Sequence, residues 1–205
     1  MNRADRRRTG PATQQGGADR RRIIVFATIG VLAIGVIVAF ALASRTPPVA
    51  SVAPEQAQIK VGQVAPAYTV ATTAGPRAMP SSDGRPVLLE VFATWCPHCQ
   101  RETAVLNDLF DHYGKKVDFV AVSGSPYAAD EQSPETQADV IGFGDHFKVR
   151  YPIAYDGDLK VMKAYLQGGY PTIVIIGRNG KIRSIHDGEI AEKTLSDDMD
   201  SALKV

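Results

Sequence analysis

Apolar residues fall along this chain in three rhythms: one unbroken run near the N-terminus, several short dense runs, and stretches between them where apolar positions recur every three or four residues. Short dense runs read as buried strands, and the spaced stretches as helices with one buried face. Residues 87–92 (VLLEVF) form such a strand, interrupted only by Glu90. Residues 97–113 read as a helix: Pro97 sits in the first turn, where its missing N–H costs nothing, and Val105, Leu106, Leu109, Phe110 and Tyr113 share a face. Further on, the pattern predicts a strand over 117–123, a loop over 125–133, and a helix from Pro134 to about His146 with Ser133 as its cap. A short strand over 151–155, a helix over 157–166 and a buried strand over 172–176 follow. Asn179-Gly180 then marks a hairpin into a strand over 182–186. A last helix over 191–203 turns Leu195, Met199, Ala202 and Leu203 inward. Strands alternating with helices are the signature of β-α-β units around a mixed or parallel sheet.

The unbroken run is of a different kind. Residues 23–43 (IIVFATIGVLAIGVIVAFALA) carry no charge over 21 positions, close to the roughly 20 that a helix needs to cross a hydrocarbon core. Seven arginines (Arg3, Arg6, Arg7, Arg8, Arg20, Arg21, Arg22) precede it against Asp5 and Asp19, a local charge of +5. The remaining 16 basic and 20 acidic residues leave −4 for the rest of the chain, so the near-neutral total of +1 conceals a basic end and a mildly acidic body. By the positive-inside rule this predicts a single-pass protein of the cell membrane, with 1–22 a disordered cytoplasmic tail and the rest extracytoplasmic. Ala41-Leu42-Ala43 resembles a signal-peptide cleavage site, but the apolar run is longer than such peptides use, which favours a retained anchor. Residues 44–58, rich in Pro, Ala, Val and Ser, are expected to be a linker, and 59–205 the folded domain. Topology explains the arginines, so no nucleic-acid partner is expected.

Both cysteines of the chain lie in Trp95-Cys96-Pro97-His98-Cys99, where the predicted strand hands over to the helix. Cys96 would stand at the helix N-terminus, whose free N–H groups and partial positive charge favour an anion. It is expected to be the more exposed, attacking sulfur. Cys99, one turn on, is placed to close a disulfide and to resolve a mixed disulfide formed at Cys96. A tetrahedral zinc site would need two further ligands, and the only histidines are His98, His112, His146 and His186. Neither metal nor cofactor is implied. Export would put the cysteines where disulfides form and persist. Positive or hydrogen-bonding character from His98 beside Cys96 would stabilise the dithiol and make the disulfide a stronger oxidant. Glu90 is costly within an apolar strand unless it is protonated, hydrogen-bonded or functional.

The stretch 90–99 (EVFATWCPHC), the insertion between Ser123 and Tyr151, the Tyr170-Pro171-Thr172 step and the 177–181 hairpin resemble the membrane-anchored thioredoxin-like proteins of the TlpA/ResA type. The resemblance spans about 60–205 and implies an α/β thioredoxin fold: a central mixed sheet flanked by helices, here with an N-terminal transmembrane helix added. It implies that Cys96 and Cys99 exchange disulfides with exported protein thiols and that a membrane redox partner sustains the cycle. It also implies that Glu90 accepts the Cys99 proton, with Glu102 competing for that role. Pro171 would be cis beside the cysteines, and Tyr170 would offer backbone groups to the substrate as an added strand, with Trp95 as an apolar platform. Pro97-His98 resembles the dipeptide of strongly oxidising DsbA-like proteins and favours net oxidation. The TlpA/ResA frame and Glu102 favour the alternative, a thiol reductant for cytochrome c maturation.

Three departures stand out. Tyr170 is larger than the usual residue before that proline, Ala104 replaces a helix-kinking proline, and Val91-Phe92 replaces Phe-Trp. A peroxiredoxin, which shares this fold, is a less favoured alternative: its peroxidatic cysteine normally follows a Thr-x-x-Cys pattern and pairs with a distant cysteine, and here Thr94 is only two residues before Cys96. A copper-binding thioredoxin-like module would space its cysteines by three residues.

Overall fold

The computed structural model describes residues 59–204. The predicted cytoplasmic tail, membrane span and linker over 1–58 lie outside the described residues. Among those described, no helix is long and apolar enough to cross a membrane.

Seven strands form one sheet in the order β2-β1-β5-β4-β3-β6-β7. At its centre β3 (Val87–Phe92) runs parallel to β4 (Asp118–Ser123) and antiparallel to β6 (Thr172–Ile176). Beyond β4 lies the short parallel strand β5 (Ile153–Tyr155), and beyond β6 the antiparallel β7 (Ile182–Asp187). The two-residue side-chain period of β3 divides the core. Leu88 and Phe92 face one cluster with α1 (Pro97–Tyr113), α2 (Gln137–Phe147) and α4 (Glu192–Leu203). Val87, Leu89 and Val91 face the other with α3 (Lys160–Tyr165). Three helices thus cover one face and one the other, the mixed α/β sandwich expected from the pattern.

Four details differ from the sequence reading. An additional hairpin, β1 (Tyr68–Thr72) with β2 (Gly75–Met79), extends the sheet at one edge. Its side chains are mostly half-buried or exposed, and Pro76 is tolerated because β2 is an edge strand. Second, α2 begins at Gln137, capped by Thr136 and Asp139 in a reciprocal capping box, rather than at Pro134 behind Ser133. Ser133 is instead bound to Asp130, and Pro134 pairs with Tyr127 in an isolated bridge. Third, α3 starts three residues later than 157, its first amides held by the Asp156 carboxylate through Lys160 N and Met162 N. Fourth, the buried face of α1 is rotated: Cys99, Glu102, Thr103 and Asn107 are buried, while Val105 and Phe110 are only half-buried.

The Asn179-Gly180 hairpin forms, with Gly180 at φ +72° and its N–H donating to Gly177 O. Only Gly180 takes the left-handed region there, so the turn is wider than a two-residue connection.

Candidate functional site

Cys96 is the N-cap of α1 and Pro97 its first residue, so the helix opens on the reactive sulfur. The N–H of Cys99 donates to Cys96 Sγ at 3.4 Å, and Cys96 Sγ donates to the Tyr170 carbonyl oxygen at 3.5 Å. Both cysteines are free thiols in this structure. The expected difference in exposure is small: Cys96 is 3% exposed and Cys99 fully buried. Cys96 is therefore recessed, with Trp95 and Tyr170 close by, rather than open to solvent. The Tyr170–Pro171 peptide is cis, as is Met79–Pro80.

Trp95 and Tyr170 meet edge to face, 5.7 Å between ring centres. Each is tied to the insertion after β4. Trp95 Nε1 donates to Ser125 Oγ at 2.8 Å, and the Tyr170 hydroxyl donates to Gly124 O at 2.6 Å. Burial pushes the Tyr170 phenol up to about 12, with Cys99 adding to the shift. The insertion is further anchored by Glu135, a buried carboxylate that accepts from Thr94 Oγ1 at 2.8 Å and from Ser123 Oγ at 2.6 Å. Burial raises its pKa and these two hydroxyls oppose the rise. Beside this scaffold opens a groove of about 510 Å³, bordered by Thr94 and Gln100 on one side and by Ala138, Gly142, Phe143 and Phe147 on the other.

Beneath the cysteines lies the acidic pair. Glu90 is on the Leu88/Phe92 face of the central strand β3 and only 2% exposed. Burial pushes it up to about 8, the neighbouring Glu102 charge adds to that, and the Tyr151 hydroxyl, donating at 3.5 Å, pulls the other way. Glu102 is buried on the inner face of α1 and pushed up to about 7. Burial is the main cause, opposed by the Ile190 N–H that donates to its Oε2 at 3.1 Å, while Glu189 adds repulsion. Its Oε1 has no hydrogen-bond partner among the described residues. Burial, followed by the charge of Glu90, drives the Cys99 thiol far above its ordinary value. The charge of Glu90 thus adds to the rise of the Cys99 thiol, and the charge of Glu102 adds to the rise of Glu90.

His98 stands on the outer side. Its Nδ1 lies 2.6 Å from Glu189 Oε1 and 2.9 Å from Arg101 Nη2, and it makes no hydrogen bond to Cys96. Arg101 also bonds Glu189 through Nε and Nη2. Arg101 first and His98 second hold the Glu189 carboxyl down at about 2. Of the other histidines, His186 pairs with Asp198 at 2.6 Å, and His112 and His146 are exposed. Among the described residues no group of three or more His, Cys, Asp and Glu side chains could hold a metal ion.

Arg101, Glu135, Tyr151 and Glu189 were not singled out from the sequence. Arg101 carried a usable signal, lying three residues after His98 and hence on the same helix face. The others act across long sequence separations and carried none.

This fold, with a dithiol at a helix N-terminus over buried carboxylates, defines a thioredoxin-type thiol-disulfide oxidoreductase. The comparisons agree. Residues 60–203 match the Redoxin family, and the chain belongs to it as a TlpA/ResA-like protein. It is 28% identical over 149 residues to thiol-disulfide oxidoreductase ResA of Geobacillus thermodenitrificans, covering 72% of this chain and 80% of the relative. It is 30% identical over 148 residues to thioredoxin-like protein YneN of Bacillus subtilis, covering 69% and 80%. A Chlorobium tepidum structure, proposed to be the thiol:disulfide interchange protein DsbE, superposes with a TM-score of 0.61 at 23% identity, over 71% of this chain and 99% of that one.

Proposed function

We propose that the protein is a membrane-tethered, extracytoplasmic thiol reductant acting on disulfides of exported proteins, with apocytochrome c the substrate that the TlpA/ResA resemblance implies. The ResA-like relatives favour this direction over the oxidising one suggested by Pro97-His98. The observation that carries it is the placement of His98. A strongly oxidising disulfide needs its dithiol form stabilised by positive or hydrogen-bonding character at the attacking sulfur. Here the His98 Nδ1 is engaged by Glu189 and Arg101, and the Cys96 sulfur donates to a carbonyl.

In the cycle, the Cys96 sulfur attacks a substrate disulfide and one substrate thiol leaves. Glu90 takes the Cys99 proton, Cys99 attacks Cys96 Sγ, and the second substrate sulfur leaves as a thiolate that is protonated to the thiol as Glu90 gives up the proton it took. Two electrons and two protons have then passed to the substrate, and the enzyme holds a Cys96–Cys99 disulfide. A membrane thiol donor returns it to the dithiol. The tether rests on the uncharged 23–43 run and the arginines before it. Equilibration of the full chain with glutathione tests the direction: the expected reduction potential is near thioredoxin's, about −270 mV, and one near about −120 mV would make the protein an oxidant. Alkaline extraction of membranes tests the tether, which fails if the full chain is released.

A further inference from the structure

The turn between β7 and α4 is fastened at two points to the redox site. Gly188, at φ +81°, donates its N–H to Pro171 O at 2.8 Å, and the Ile190 N–H donates to Glu102 on the inner face of α1. Between these fastenings projects Glu189, whose Oε1 gathers both His98 and Arg101 on the outer face. His98 and Arg101 both stand on the first two turns of α1, the helix that opens on Cys96.

We propose that Glu189 is a positioning residue that sets the redox poise of the Cys96–Cys99 pair, by committing the His98 imidazole and the Arg101 guanidinium to itself rather than to the Cys96 sulfur. The proposal rests on the reductant reading and deepens it. Converting disulfide to dithiol takes up two electrons and two protons, and any cation free to face Cys96 favours that product. Glu189 neutralises one cation and orients the ring that could supply a second. Without it the site keeps the same sulfurs and the same proton acceptor but gains uncompensated positive charge, so the disulfide becomes more oxidising. The assignment also reconciles a Pro-His dipeptide with a ResA-like frame: the dipeptide's oxidising character is held in check from another loop. Because exposed ion pairs add little to folding, a cluster of this kind is better read through the redox equilibrium than through stability.

The test uses the full chain in detergent, equilibrated with glutathione and followed by the fluorescence of Trp95, the only tryptophan. Glu189→Gln is expected to shift the equilibrium constant about tenfold toward the dithiol, about 30 mV for two electrons. Glu189→Asp should restore most of the wild-type value. Arg101→Gln, which leaves Glu189 beside the site without its cation, must move the constant the opposite way. Opposite signs support the role of charge. The same sign for both, or a change under twofold in Glu189→Gln, overturns the proposal. If Glu189→Gln does not fold, Arg101→Gln decides alone, and an unchanged or more oxidising value sinks it. These outcomes are independent of the reductant reading, which stands or falls on the wild-type potential.

Discussion

The two sides of the first turns of α1 handle the same residue type in opposite ways. On the inner side Glu90 and Glu102 are buried without a cation, and their carboxyls are pushed up to about 8 and about 7. On the outer side Glu189 is two-fifths exposed between Arg101 and His98, and its carboxyl is held at about 2. Burial turns a glutamate into a proton store near neutral pH, whereas a half-exposed position beside cations makes it a fixed charge. In the proposed cycle the inner side therefore exchanges protons with Cys99, while the proposed part of the outer side is to shape the field at Cys96.

The sharpest way to break this contrast is Glu90→Gln. At pH 7 about a tenth of Glu90 is ionised if its value is about 8, so a resolving step that uses the anion accelerates as pH rises through 8. Removing the carboxyl should erase that acceleration and slow resolution by about 10–100-fold at pH 8, read by stopped-flow capture of the mixed disulfide. A profile unchanged in shape would exclude Glu90 as the acceptor. Stability should move the other way. The folded value lies above the ordinary 4.5, so the folded state retains a proton that the unfolded chain loses between pH 4.5 and 8. The group costs nothing below pH 4.5, its cost grows across that window, and above pH 8 it reaches on the order of 4–5 kcal/mol. Glu90→Gln should thus raise stability to urea by roughly 2–4 kcal/mol at pH 9 and change it little at pH 4, which equilibrium unfolding at the two pH values would show.

Glu102→Gln should act at one remove. Its side-chain oxygen can still accept the Ile190 N–H, but the charge that helps raise Glu90 is gone. The pH step in the resolving rate should therefore fall by up to about one unit, with its height retained. Loss of the step itself would make Glu102, not Glu90, the acceptor.

What was legible in the sequence follows the reach of each interaction. The β3-α1-β4 unit and the β6-β7 hairpin were readable because dense apolar runs and local signals at Pro97 and Asn179-Gly180 fix them within a few residues. The β1-β2 hairpin was not, since an edge hairpin of mostly half-buried or exposed side chains carries no dense apolar run, and the Gly75-Pro76 turn signal stands between no such runs. The start of α2 was misplaced because Ser133-Pro134 imitates a helix start, while the residues that win are Thr136 and Asp139 one turn later. In the site, Cys96, Cys99 and Glu90 announced themselves by residue type against an apolar background. Glu189 meets His98 across 91 positions and Glu135 meets Thr94 across 41, and no local pattern encodes such a meeting.

Ionic strength should separate the two sides with the smallest effect of all. Between 0.01 M and 1 M salt the screening length falls from about 30 Å to about 3 Å, and exposed charges feel this while buried ones hardly do. His98, Arg101 and Glu189 are 60%, 56% and 40% exposed at their side chains, so their influence on Cys96 passes partly through solvent. The gap between wild type and Glu189→Gln in the glutathione equilibrium should shrink to within about threefold at 1 M salt. The pH step assigned to Glu90 should stay within a few tenths of a unit over the same range, because its causes are burial and a buried neighbour. If salt moved the Glu90 step as much as the Glu189 gap, solvent would reach both sides of α1, and burial could not be what makes one glutamate a proton store and the other a fixed charge.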